Sequence, residues 1–221
     1  QLRRRAREDP RGACRVNGMP GPLPPTIVYL HGFRSSPASV KAAAVTAAVA
    51  ALPEPIRPRL HVPALQFSPA QAVAAVEAWA RANVADPGKS LTLIGSSLGG
   101  FYATHLAERL GAKAVLVNPA LRPYEDLAAY VGTQTNLYTG ATFVVTPAHF
   151  DELRALAVPR ITRPSRYFLL VQSGDEVLDW REAVAYYGGA CQYVESGGDH
   201  AFQRFAAQIP AILRFAGVVD A

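Results

Sequence analysis

Gly95-Ser96-Ser97-Leu98-Gly99 sets a serine between two glycines, each two positions away. A serine on a sharp strand-to-helix turn needs that pattern, because the crowded backbone there admits only very small residues at the flanks. The apolar run Leu91 to Ile94 before it and the helical stretch Phe101 to Leu110 after it supply the context, and Gly100 extends the small-residue surface. Without that placement the pattern would be no more than a glycine-rich turn. The turn would lift the Ser97 hydroxyl above a sheet, at a helix N-terminus whose dipole favours developing negative charge. The chemistry open to such a hydroxyl is attack on a carbonyl carbon with a covalent acyl intermediate. Ser96 is the intervening position and is expected to point elsewhere.

A serine nucleophile needs a base, an acid that orients the base, and donors for the oxyanion. Leu30-His31-Gly32-Phe33 closes the first apolar run. The backbone amides of Phe33 and Leu98 are the expected oxyanion donors, one from the loop after an early strand and one from the residue after the nucleophile. Gly32 lets the backbone pass close to a reacting carbonyl, and His31 is read as holding this loop by hydrogen bonds. Asp175, in Gln172-Ser173-Gly174-Asp175-Glu176, is the expected acid, since it lies in the tight turn directly after an apolar strand. Glu176 and Asp179 stand further along. His200, in Ser196-Gly197-Gly198-Asp199-His200, is the expected base, with glycines that let its loop return over the sheet. Asp199 is a lesser alternative for the acid, because adjacent side chains rarely reach the required geometry.

The elements that must carry these residues alternate between strand and helix. Strands are expected at Thr26 to Leu30, Arg59 to Pro63, Leu91 to Gly95, Lys113 to Asn118, Arg166 to Gln172 and Cys191 to Val194. Most are apolar at consecutive positions, as in parallel strands buried on both faces. Ser36-Pro37, Ser68-Pro69 and Thr146-Pro147 each place a capping hydroxyl before a proline suited to the first helical turn. Helices are expected near 37–52, 69–84, 98–110, 147–157, 179–187 and 201–216, with Pro210 kinking or splitting the last. Gly111 and Gly217 mark helix ends. About forty residues separate the fourth strand from the fifth, too many for one ordinary connection. This interval, about 119–160, contains Tyr124, Tyr130, Tyr138, Phe143 and Phe150. It reads as a small cap over the edge of the sheet, with Tyr138-Thr139-Gly140 as a turn before a strand-like Ala141 to Val145, and its aromatics either line an apolar acyl pocket or pack on each other and on the sheet.

Ser, Asp and His, in that chain order and each in a loop after a strand, match the α/β-hydrolase arrangement. The sequence resembles the YqiA-like esterases of bacteria from about Ile27 to Phe215. Tyr-Leu-His-Gly-Phe at 29–33, Gly-Ser-Ser-Leu-Gly-Gly-Phe-Tyr-Ala-Thr at 95–104, Val-Asn-Pro-Ala at 117–120 and Gly-Gly-Asp-His at 197–200 carry the likeness. The resemblance implies an α/β-hydrolase fold: a mostly parallel sheet of about six strands, helices on both faces and a small cap insertion. It further implies hydrolysis of acyl esters or acyl-CoA thioesters through Ser97, His200 and Asp175, without a cofactor. The alternative reading is a catalytically silent binding or signalling protein on the same scaffold.

Composition narrows the remaining classes. The 221 residues are 50% apolar and 18% charged, a balance that excludes disorder over most of the length. The net charge of +5 would point to nucleic acid if it lay on the folded part. Instead, six arginines against Glu8 and Asp9 put four of those charges in residues 1–18. Residues 1–25 therefore read as a basic, disordered extension to a single domain at 26–221, and no nucleic-acid partner is expected. No apolar stretch follows the tail's charges, which argues against an export signal and for a cytoplasmic protein. The longest apolar run, Ala42 to Leu52, is too short to span a membrane. Cys14 and Cys191 lie in unlike contexts and are not expected to pair. The five histidines show no metal-ligand spacing, so no metal site is expected.

Overall fold

Every residue of strand β1 (Thr26–Leu30) is buried. Its side chains alternate between two apolar clusters, Val28 and Leu30 in one and Ile27 and Tyr29 in the other. A strand with two dry faces belongs inside a sheet covered on both sides. The computed structural model, which describes residues 25–219, contains that sheet. The further strands are β2 (Arg59–His61), β3 (Leu91–Ser96), β4 (Lys113–Val117), β5 (Gly132–Thr135), β6 (Thr142–Val145), β7 (Tyr167–Gln172) and β8 (Cys191–Glu195). The helices are α1 (Val40–Ala51), α2 (Pro69–Asn83), α3 (Pro87–Ser90), α4 (Leu98–Leu110), α5 (Pro123–Asp126), α6 (Pro147–Leu156), α7 (Trp180–Tyr186) and α8 (Ile209–Phe215).

Six strands form one sheet in the order β2-β1-β3-β4-β7-β8, parallel at every pairing. Helices α1 and α8 cover the face that carries Ile27 and Tyr29, whereas α2, α4, α6 and α7 cover the face that carries Val28 and Leu30. From β1 the chain steps outward to β2 and then crosses back to β3. The strand order thus reverses between β1 and β3, and their C-terminal ends flank the crevice in which sheets of this kind bind ligands. The loops leaving these two strands hold His31 to Phe33 and Ser97. No helix among the described residues is long and apolar enough to cross a membrane.

Several features differ from the sequence reading. Helix α1 starts at Val40 behind Ser39, not at Pro37. The Ser36 hydroxyl accepts from the Ala38 amide at 3.1 Å and the Ser36 carbonyl accepts from the Ser39 amide at 3.1 Å, so a closed turn delays the helix. Residues 201–204 are not helical: Phe202 and Arg204 have φ of 62° and 58°, and a 3₁₀ turn at Phe205–Gln208 precedes α8. Pro210 sits in the first turn of α8, where its missing N–H costs nothing. Strand β5 was not expected, because Gly-Thr-Gln-Thr has no apolar face of its own; antiparallel pairing with β6 makes it a strand.

The interval between β4 and β7 reaches the connection that leaves the edge strand β2, where Glu152 accepts from the Ser68 hydroxyl at 2.8 Å and the Ala70 amide at 3.0 Å. It is also bound to the loop after β1, an interior strand. Asn136 Nδ2 donates to the Ser35 carbonyl at 2.7 Å, the Leu137 amide to the Arg34 carbonyl at 2.8 Å and Arg34 Nε to the Thr135 carbonyl at 2.9 Å. Residues 1–24 of the basic extension, Cys14 among them, lie outside the described residues.

Candidate active site

Ser97 joins β3 to α4 with φ 54° and ψ −120°, a conformation that L-residues rarely adopt. The flanking glycines are a steric requirement. A Cβ at Gly95 would lie 2.2 Å from the Gly99 carbonyl oxygen, and one at Gly99 would lie 2.1 Å from the Leu30 carbonyl oxygen. The turn, α4 and the end of β1 can approach this closely only without side chains at those two positions. Ser96 is buried. Ser97 opens on the crevice and Leu98 supplies the first amide of α4, which has no acceptor within its own helix.

Three loops converge on the Ser97 hydroxyl. Its oxygen lies 3.0 Å from His200 Nε2, and His200 Nδ1 lies 2.9 and 3.0 Å from the two oxygens of Asp175. With the proton on Nδ1 and donated to the carboxylate, Nε2 is free to accept from the serine hydroxyl. The Asp175 side chain is only 2% exposed. Burial alone would raise its pKa. The His200 ring and the Val177 and Leu178 amides, both donating to Oδ1 at 2.9 Å, outweigh burial and hold the carboxyl below its ordinary value.

The other acids near His200 bind elsewhere. Asp199 Oδ2 accepts from Gln203 Nε2 at 2.9 Å, and Asp179 caps α7 by accepting from the Arg181 amide at 2.9 Å. Glu176 accepts the His200 backbone N–H at 3.0 Å, so it holds the loop and not the ring.

On the β1 side, His31 is buried and makes two backbone contacts. Nδ1 lies 3.0 Å from the Gly32 carbonyl and Nε2 accepts from the Leu65 amide at 3.2 Å. Burial lowers the pKa of this ring, consistent with a neutral imidazole that donates at one nitrogen and accepts at the other. Gly32 approaches Ser97 closely enough that a Cβ there would lie 3.3 Å from the Ser97 Cβ. The Phe33 backbone follows directly.

Two cavities flank this loop, and Gly32 and Phe33 line both. One is a groove of about 700 Å³ lined by Ser97, His200, Tyr138, Glu176 and three cations, Lys41, Arg34 and Arg204, the last of them paired with Glu195. The other is small, about 60 Å³, and mostly apolar, walled by Leu98, Tyr102, Phe143, Phe150 and Leu153. Phe143 stacks on Phe67 at 4.1 Å and meets Phe33 edge-on at 5.9 Å. Tyr130 meets Phe33 edge-on at 5.4 Å. Tyr124 lies apart from both cavities, beneath the Arg154 guanidinium. Among the described residues, no group of three or more His, Cys, Asp or Glu side chains could hold a metal ion.

Residues 26–217 match the model of the family described as Uncharacterised protein family (UPF0227). The chain belongs to this family. The matched span contains the whole stretch over which the motifs resemble the YqiA-like group. Solved structures share the α/β-hydrolase fold of this family member at low identity. Alpha/beta hydrolase domain-containing protein 10 from mouse superposes with a TM-score of 0.62 at 17% identity, over 85% of this chain and 88% of its own. Monoacylglycerol lipase from Paleococcus ferrophilus gives 0.62 at 14%, over 89% and 97%. The esterase domain of a Rhodothermus marinus protein gives 0.59 at 18%, over 86% and 88%.

Two residues that support the site had no role assigned from sequence, Asn118 and Gln172. Each is a polar residue at the end of an apolar parallel strand, and both are buried. A polar side chain with no water within reach must find partners in the protein, and that was the signal available.

Proposed function

We propose that this protein is a serine hydrolase of carboxylic acyl esters or thioesters. The observation that carries the reading is the hydrogen-bonded chain from Ser97 through His200 to Asp175, set on a strained turn at the reversal point of the sheet. His200 Nε2 takes the proton as Ser97 Oγ attacks the carbonyl carbon, and the backbone amides of Phe33 and Leu98 receive the charge that develops on the carbonyl oxygen. Asp175 keeps the Nδ1 proton in place and stabilises the imidazolium. The imidazolium then protonates the departing alcohol or thiol, leaving an acyl-Ser97 ester. Water, deprotonated by His200, attacks that ester and releases the acid and the free serine.

The cavities on either side of the Phe33 loop divide the substrate. An apolar cavity of 150 Å³ holds benzene, so the small cavity of about 60 Å³ has room for an acyl chain of roughly two to three carbons. The larger groove takes the leaving group. Lys41 and Arg34 on its wall suit a leaving group that carries negative charge, as the phosphates of an acyl-CoA do, whereas Arg204 is already paired with Glu195.

Purified protein should hydrolyse p-nitrophenyl acetate or propionate and acetyl-CoA, and a fluorophosphonate probe should label Ser97. In Ser97→Ala both the hydrolysis and the label should vanish. Retained turnover in that variant would refute the nucleophile, and a wild type that neither turns over nor labels would refute the hydrolase reading.

A further inference from the structure

His200 lies in a segment with little regular structure between β8 and the 3₁₀ turn before α8, yet its ring must stay within hydrogen-bond distance of two other loops. The Gln172 side chain, 1% exposed at the end of β7, lies behind that segment and uses every polar atom on it. Its Oε1 accepts from the Asp199 amide at 3.1 Å and the Gln203 amide at 2.8 Å. Its Nε2 donates to the Gln203 carbonyl at 2.9 Å and to Glu195 at 2.7 Å. The fit is close: a Cβ at Gly198 would fall 2.0 Å from Gln172 Oε1.

Asn118, 2% exposed at the end of β4, completes the grip. Its Nδ2 donates to the Asp199 and His200 carbonyls at 3.0 and 3.1 Å, and its Oδ1 accepts from the Gln172 amide at 3.1 Å. Its φ of 40° turns the carboxamide under the loop. The two carboxamides therefore bind backbone atoms of residues 199, 200 and 203, and neither touches the crevice or the Ser97 hydroxyl.

We infer that Asn118 and Gln172 are positioning residues: a buried carboxamide pair that fixes the His200 loop to the sheet and so sets the ring against Ser97 and Asp175. This rests on the hydrolase reading for its catalytic consequence but not for its geometry. A rigid supporting set of hydrogen bonds keeps a catalytic ring within tenths of an ångström of its working position, and a 1 Å misplacement costs on the order of 100-fold in rate.

The test uses Gln172→Met, which keeps length and volume, and Asn118→Gly, which keeps the left-handed backbone, each in the full chain. Glu108→Gln, which weakens contacts with Thr162 and Tyr167 at the other end of the sheet, controls for a general loss of stability. Two quantities are read, kcat and KM for p-nitrophenyl acetate, and the His200 tautomer by NMR of isotope-labelled histidine. Each carboxamide variant should lose roughly 100-fold in kcat with KM within about twofold of wild type. The His200 ring should shift from the Nδ1–H form toward a mixture, since the bond made by one nitrogen fixes the proton on the other. The control should keep both readouts. Wild-type kcat and an unchanged tautomer in either folded variant would overturn the inference. If the wild type proves inactive, the hydrolase reading fails and the tautomer alone decides this one.

Discussion

The α-carbon of Gly99 faces the Leu30 carbonyl so closely that a Cβ would stand 2.1 Å from its oxygen. The contact joins the first turn of α4 to the last residue of β1, so it sets the distance between Ser97 and the Phe33 loop. Gly99→Ala should lower stability by about 3 kcal/mol or more, because backbone and not a flexible side chain must give way. Gly88→Ala, whose new methyl meets its nearest neighbour at 3.4 Å, should be nearly neutral. Urea denaturation of the pair measures the difference.

His31 makes the fold sensitive to mild acid. Burial depresses its pKa below the unfolded value of about 6.5, so the unfolded chain binds the proton more readily. The stability this contributes is present above that value and is lost as pH falls below it. His105 and His61 are shifted in the same direction, by burial first in each case. Denaturation midpoints should therefore fall between pH 7.5 and 5.5, with a shallower fall in His31→Asn.

Asp175 acts at lower pH and with its own sign. Its folded pKa is depressed, so its contribution is present above the unfolded carboxylate value of about 3.9 and disappears as pH falls through the folded value. The stability gap between wild type and Asp175→Asn should hold steady near neutrality and close below about pH 4. The same variant should lose on the order of 10⁴ in kcat, since an amide no longer selects the required His200 tautomer.

Phe143 lines the small cavity and is only partly buried. Phe143→Ala should move the preferred p-nitrophenyl ester to a longer chain, each added methylene contributing up to about fourfold in kcat/KM through burial of about 0.8 kcal/mol. A chain-length profile across both proteins checks this, and an unchanged optimum would separate the cavity from acyl binding.

Much of the sheet was legible from residue types, because strands buried on both faces leave uninterrupted apolar runs such as Thr26 to Leu30 and Tyr167 to Val171. Ser97, Asp175 and His200 stood out because glycines and strand ends mark the loops that hold them. Less could be read where structure depends on distant partners. Strand β5 exists through β6, and α1 is delayed by a turn that Ser36 closes locally. The insertion's attachment to Arg34 and Ser35 crosses about a hundred residues and leaves no local pattern. Asn118 and Gln172 read as ordinary strand-end residues until their partners on the His200 loop are known.

The backbone of Ser97 bears on how this chain can change. Holding a serine at φ 54° and ψ −120° costs roughly 1 to 3 kcal/mol, which a glycine would recover in large part even after its greater freedom in the unfolded chain is counted. Ser97→Gly should therefore melt higher than wild type while losing the hydroxyl. For a lineage with no use for that oxygen, random substitution under selection for folding alone would favour the glycine. The serine is therefore the costlier residue at this turn, and the difference in melting temperature between the two proteins measures that cost.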